Sequence, residues 1–128
     1  MLQPSEVTTA KVLPTIRARL AHELLEVHRM KQVQVARALG ITQAAVSHYN
    51  TKSRGLDEDL AHRFPEIDAF CEDLAARIAH GLSQPEHIAM IDRFCDGLMH
   101  TFRFCEYHKK ISDIDPNCMI CFPSPPKP

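Results

Sequence analysis

Apolar residues along this chain recur mainly at three- and four-residue intervals, the spacing of one face of an α-helix. Ile16, Leu20, Leu24 and Val27 mark a first segment from about Leu13-Pro14 to Met30. Proline suits that first turn because its missing N–H has no helical partner there. Val35, Ala36 and Leu39 mark a second segment, from Lys31 or Gln32 to Leu39, which Gly40 stops. Thr42 is a good N-cap for a third, running through Ala45, Val46 and Tyr49 to about Asn50. The polar stretch 50–55 then reads as a loop. A fourth segment begins around Leu56–Leu60, is open to interruption at Phe64-Pro65, and continues from Glu66 to His80. Ile67, Phe70, Cys71, Leu74 and Ile78 line one of its faces. Ser83 and Glu86 make a capping-box pattern that opens a fifth segment, His87 to about Phe104. Its apolar positions are Ile88, Ile91, Phe94, Cys95, Leu98 and Phe102. After Cys105 the period fades, and Pro116, Pro123, Pro125, Pro126 and Pro128 predict an irregular tail. The expected fold is all-α: a helix-turn-helix bundle with additional C-terminal helices and an irregular, cysteine-ligated tail. The expected regions are 1–55, DNA-binding; 56–104, helical dimerisation and core; and 105–128, the cysteine-bearing tail.

The run from Gln32 to Tyr49 carries the most specific pattern. Two short helices crossing at roughly 90–120° need a small residue at the crossing, a glycine at the turn and apolar seals around it. Ala36, Gly40, Leu39, Ile41 and Val46 stand at those positions, with Val35 and Tyr49 at the ends. With Ala45, Val46 and Tyr49 turned inward, Thr42, Gln43, Ala44, Ser47 and His48 face outward. Gln43 suits a bidentate bond to adenine, Ser47 suits either base type, and Ala44 suits a thymine methyl. Lys31, Arg37, Lys52 and Arg54 flank this surface and suit phosphates. The opposing interpretations are an ordinary helical hairpin and simply solvated polar residues, the second weighing most on His48.

Charge sharpens the picture. Residues 1–54 carry eight Lys and Arg against three Glu, net +5, while residues 55–128 carry seven basic and thirteen acidic residues, net −6. A basic half joined to an acidic one suggests a polyanion partner for the first. At 128 residues, with 45% apolar and 24% charged residues, the chain is sized for one globular domain. It lacks the roughly 20-residue apolar run of a membrane helix. Residues 1–6 show no secretory pattern, so the expectation is a cytoplasmic protein with no membrane partner.

Five cysteines in a reducing compartment suggest thiols or metal ligands, and the odd count leaves one without a disulfide partner. Cys118-x-x-Cys121 and Cys105-x-x-His108 are two pairs with equal spacing. Tetrahedral Zn2+ would take Cys105, His108, Cys118 and Cys121. An iron–sulfur cluster would prefer Cys95, Cys105, Cys118 and Cys121. Spacing alone leaves both open, beside free thiols or a redox dithiol. Cys71 reads as a small buried hydrophobe, and Cys95 is balanced between that role and ligation.

Residues 31–55 resemble the repressor/Cro (xenobiotic-response-element) helix-turn-helix superfamily. The span from Pro4 through Cys121 resembles a group of predicted prokaryotic, chiefly archaeal, transcriptional regulators. The matching pieces are Leu13-Pro14-x-Ile16-Arg17, the run Ile41 to Ser47, and the Cys105-x-x-His108 … Cys118-x-x-Cys121 end. Members often carry cysteine where this chain has Ser5, a departure that bears on the ligand set. The resemblance implies a sequence-specific DNA-binding regulator that is not an enzyme and whose iron–sulfur cluster senses redox state or oxygen. A homodimer is expected because one helix-turn-helix offers too small an interface for useful specificity. The stripes Ile67–Ile78 and Ile88–Phe102 are candidates for its seam. The alternative is a protein-binding or antitoxin-like module with a structural zinc. No Ser-His-Asp arrangement or Gly-rich phosphate loop points to catalysis.

Overall fold

The computed structural model describes residues 3–52, 58–112, 115, 117 and 118, with the side chains at 51, 52 and 58 outside that description. Every described element is helical. The chain opens with α1 (Pro4–Val7), a π-helical turn over Thr8–Val12, α2 (Leu13–His22) and a second π turn over Glu23–Val27. Backbone angles stay helical through each junction, so residues 4–27 form one rod. The rod therefore starts well before the Leu13-Pro14 expected from the sequence. Pro14 has no N–H to donate, and its ring would clash with the carbonyl one turn back. The π turn just ahead of it, closed by the bond from Leu13 N–H to Thr8 O, widens the register where α2 begins. Val7, Val12, Ile16, Leu20 and Leu24 line the rod's fully buried face.

Then come α3 (Gln32–Leu39), α4 (Gln43–Lys52), α5 (Glu58–Arg63), α6 (Glu66–Ala79), α7 (Gln84–Met99) and α8 (Phe102–Ile111). The break at Phe64-Pro65 is present: Phe64 N–H closes the end of α5 on Leu60 O at 2.9 Å. The fifth segment needs correction. It stops at Met99, Thr101 turns extended, and the Thr101 hydroxyl caps a separate helix by accepting from Phe104 N–H at 3.2 Å. Helix thus continues to Ile111, so the irregular region begins later than residue 105. The driving force is the apolar face of α8, where Phe104 and Tyr107 are buried and Ile111 packs against the core.

One apolar core spans the chain from Val7 to Tyr107, so residues 1–55 and 56–104 share it. The stripe of α6 is occupied within the chain. Ile67, Cys71 and Leu74 are each at most 1% exposed, and the Cys71 thiol lies 3.7 Å from Ile16 O on the rod. Phe70 stacks on Phe94 at 4.1 Å between ring centres, joining α6 to α7. Around Phe64 the rings of Phe104 and Tyr107 close in at 6.4 and 6.0 Å, with the Arg103 guanidinium 5.5 Å from its centre.

Several acidic residues of the second half are paired. Arg19 meets Asp68 at 3.2 Å and Arg103 meets Glu66 at 2.9 Å. Asp59 receives Arg63 at 3.0 Å and Lys110 at 3.4 Å, and the Arg63 hydrogen bond in particular holds its carboxyl below the usual range. No described helix is long and apolar enough to cross a membrane.

Candidate functional site

The elbow between α3 and α4 is built as its spacing requires. Gly40 sits at φ 67°, ψ 32°, the left-handed region that a Cβ disfavours. Ile41 N–H then reaches back to Ala36 O at 3.0 Å, satisfying a carbonyl that the helix end would leave orphaned. Thr42 starts α4: its Oγ1 accepts from Ala45 N–H at 3.0 Å, and its carbonyl accepts from Val46 N–H at 3.1 Å. Val35, Ala36 and Val46 are buried, and Leu39, Ile41 and Tyr49 pack against the core. The other edge of α4 is outward. Thr42, Gln43, Ala44, Ser47 and His48 are exposed, and the His48 ring meets Tyr49 edge-on at 6.0 Å. Lys31 and Arg37 are exposed on α3 and the turn before it. Lys52 closes α4, and Arg54 lies outside the described residues.

A contact that the sequence pattern does not announce holds this elbow from behind. His87, only 3% exposed on α7, has Nε2 2.9 Å from Ala38 O. A carbonyl oxygen only accepts, so Nε2 carries the proton and His87 serves one of the last carbonyls of α3. Gln84, one turn earlier, lies directly over Gly40, and a Cβ there would collide with its carboxamide. The available signal was the four-residue spacing of His87, Ile91 and Cys95, which puts the histidine on the apolar stripe of α7.

The thiols divide into two settings. Burial pushes the Cys71 thiol up to about 12, with the nearby Asp68 carboxylate adding to it. Burial likewise pushes Cys95 up to about 11, Asp92 raising it further and Arg17 opposing. Cys71 and Cys95 both belong to the apolar core. On α8, Cys105 and His108 are both buried at 9% exposure and stand three residues apart, on one helix face. Cys118 is half-buried in a turn where its N–H reaches Asp115 O at 2.9 Å. Cys121 lies outside the described residues. Among the described residues no three His, Cys, Asp or Glu side chains come together as a metal ion would need.

Both core thiols are protonated at neutral pH, and only the thiolate is nucleophilic. Peptide mapping after iodoacetamide treatment of native protein at pH 8 should leave Cys71 and Cys95 largely unmodified, and unfolding should expose both. Free-thiol rates at Cys71 in the native protein would contradict this burial. The pH dependence follows with the same sign. A thiol whose folded value lies above its unfolded value of 9.0 supports the fold fully below about pH 9. That support fades as pH climbs from there toward 11 and 12.

Comparison with protein-family models, with curated proteins and with solved structures finds no match to this chain.

Proposed function

We propose that this protein is a sequence-specific DNA-binding regulator that acts as a homodimer. The observation that carries the proposal is the outward edge of α4, presented past a left-handed glycine elbow and supported on its inner edge by Val46. An α-helix so presented fits the major groove, where its first residues meet base edges. Gln43, Ala44 and Ser47 are the base-reading set, with Thr42 and His48 beside them; Thr42 is engaged as the cap of α4. Lys31, Arg37, Lys52 and Arg54 serve phosphates. Symmetric pairs reading half-sites about 34 Å apart supply the interface area that one unit lacks. The dimer seam falls away from the α6 stripe, which the chain's own core occupies. Gel shifts against genomic fragments over a salt series test the proposal. Retarded bands whose affinity falls steeply with salt support it, and absence of retardation at low salt overturns it.

The one-turn separation of Cys105 and His108 on the buried face of α8 favours a metal centre as part of this function. With Cys118 and Cys121 these residues would make a Zn2+ donor set, which requires the turn at Cys118 to close on α8, since the described Cys105, His108 and Cys118 are not gathered around one point in this structure. An iron–sulfur cluster, with Cys95 as fourth thiolate, would add redox sensing. The burial of His108 with Cys105 on one face of α8, while Cys95 stands on α7, favours the mixed set containing His108. When bound, zinc there would tie the chain after α8 to the helix itself. Anaerobic purification with zinc, iron and sulfide analysis separates the two. A colourless protein with one zinc per chain is the expected result. A brown protein with stoichiometric iron and sulfide would assign the cluster instead, and a preparation with no metal would contradict both.

A further inference from the structure

A helix leaves its last carbonyls without intrahelical partners, and three of those of α3 are answered in two different ways. Ala36 O takes Ile41 N–H at 3.0 Å and Arg37 O takes Gly40 N–H at 3.4 Å, both within the turn itself. Ala38 O is reached from outside, by His87 Nε2 at 2.9 Å, across 49 positions of the chain. That bond spans a gap. Leu39, Gly40 and Ile41 of the elbow and His87, Ile88 and Ile91 of α7 line a cavity of about 820 Å3, so side-chain packing does not fix the distance between elbow and α7. Because α4 rests on α3 as well as on α2, its tilt follows the end of α3. His87 is also a costly residue for its position. It is buried on the apolar stripe of α7, and its Nδ1 has no hydrogen-bond partner among the described residues. An aliphatic residue of similar volume would avoid burying that nitrogen. What the imidazole adds instead is one directed bond, which specifies a geometry that apolar contact alone leaves permissive.

We propose that His87 is a positioning residue: its bond to Ala38 O latches the elbow to α7 and so fixes the tilt of α4 against the body of the chain. The consequence for DNA rests on the proposal of a homodimeric DNA-binding regulator. Two copies of α4 reach half-sites about 34 Å apart only if each is held at a set angle to the body that joins them. The latch then selects half-site spacing and leaves recognition within each half-site to the residues of α4. It resists a mis-spaced site by no more than its own net strength, about a fivefold factor in affinity.

The test uses the full chain with His87→Leu, which keeps most of the volume and loses the bond, and with His87→Gln, whose amide nitrogen can stand where Nε2 stands. Residual dipolar couplings of the backbone amides, measured without DNA, report the angle between α4 and α7. That angle should change in the leucine variant and stay native in the glutamine variant. With DNA, affinities are compared on a duplex this protein selects from a random library, on the same duplex with base pairs inserted between its half-sites, and on one half-site alone. His87→Leu should lose about fivefold of the native preference for the uninserted duplex, yet bind the single half-site as the native chain does. His87→Gln should keep both properties. If His87→Leu does not fold, His87→Asn, whose shorter amide falls short of Ala38 O, replaces it. An unchanged angle in the leucine variant, the same loss in both variants, or a loss of equal size on the single half-site would overturn the proposal. A changed angle in a protein whose native form binds no DNA would support the latch and remove the regulatory role, so the two failures are distinct.

Discussion

Replacing Phe64 with alanine is expected to cost about 3–5 kcal/mol of folding stability, the range for emptying a large buried aromatic position. Phe64 is fully buried at the α5–α6 junction and touches the first two turns of α8 through Phe104 and Tyr107. It also receives the Arg103 guanidinium, which in turn bonds Arg63 O at 3.1 Å and Glu66. Truncation removes the ring about which α5, α6 and α8 are arranged, and Pro65 limits how far the backbone can move to close the gap. Phe64→Leu keeps most of the volume and should lose about 1–2 kcal/mol. Urea denaturation of the three proteins checks the ordering. A loss below about 1 kcal/mol for the alanine variant would mean that α8 is not anchored here.

The second large effect is expected at the elbow. Gly40→Val should destabilise by about 2–3 kcal/mol, because two penalties coincide. The left-handed φ of 67° disfavours any Cβ and branching at that atom stiffens the residue, while the exposed Gln84 carboxamide over the glycine can swing aside. Gly40→Asn should lose less than half as much, since asparagine tolerates left-handed backbone. The valine variant should also bind DNA more weakly than its stability alone explains, because the angle between α3 and α4 is set at this residue. Denaturation midpoints measured beside DNA affinity resolve the two contributions. Equal midpoints for the valine and asparagine variants would show that backbone conformation is not the constraint.

The elbow was legible in the sequence because most of the constraints on it are local. Ala36, Gly40, Thr42 and Val46 lie within eleven positions, and each has a short-range reason for its identity. The exposed positions of α4 followed once Val46 was assigned inward. The start of the rod was not legible, since Pro14 signals a helix opening unless the π turn ahead of it is known. The break before α8 was hidden for a similar reason. Thr101 caps with no glycine or proline at the break itself, and Phe102 continues the apolar period of α7 in sequence but not in space. His87 was missed as a support because its partner, Ala38 O, is a backbone atom far along the chain. Tertiary contacts of that kind leave no periodic trace. Ile88 is the converse case, an apolar residue on the expected stripe that packing leaves open.

The most direct measurement is fluorescence anisotropy on a duplex selected by this protein from a random library, set against a scrambled duplex of equal length. Gln43→Ala and Ser47→Ala should each weaken binding to the selected duplex by about 1–3 kcal/mol, roughly 5- to 150-fold, and leave the scrambled duplex unchanged. Identical affinities of the native chain and both variants for the selected duplex would contradict the assignment of the α4 edge to base recognition.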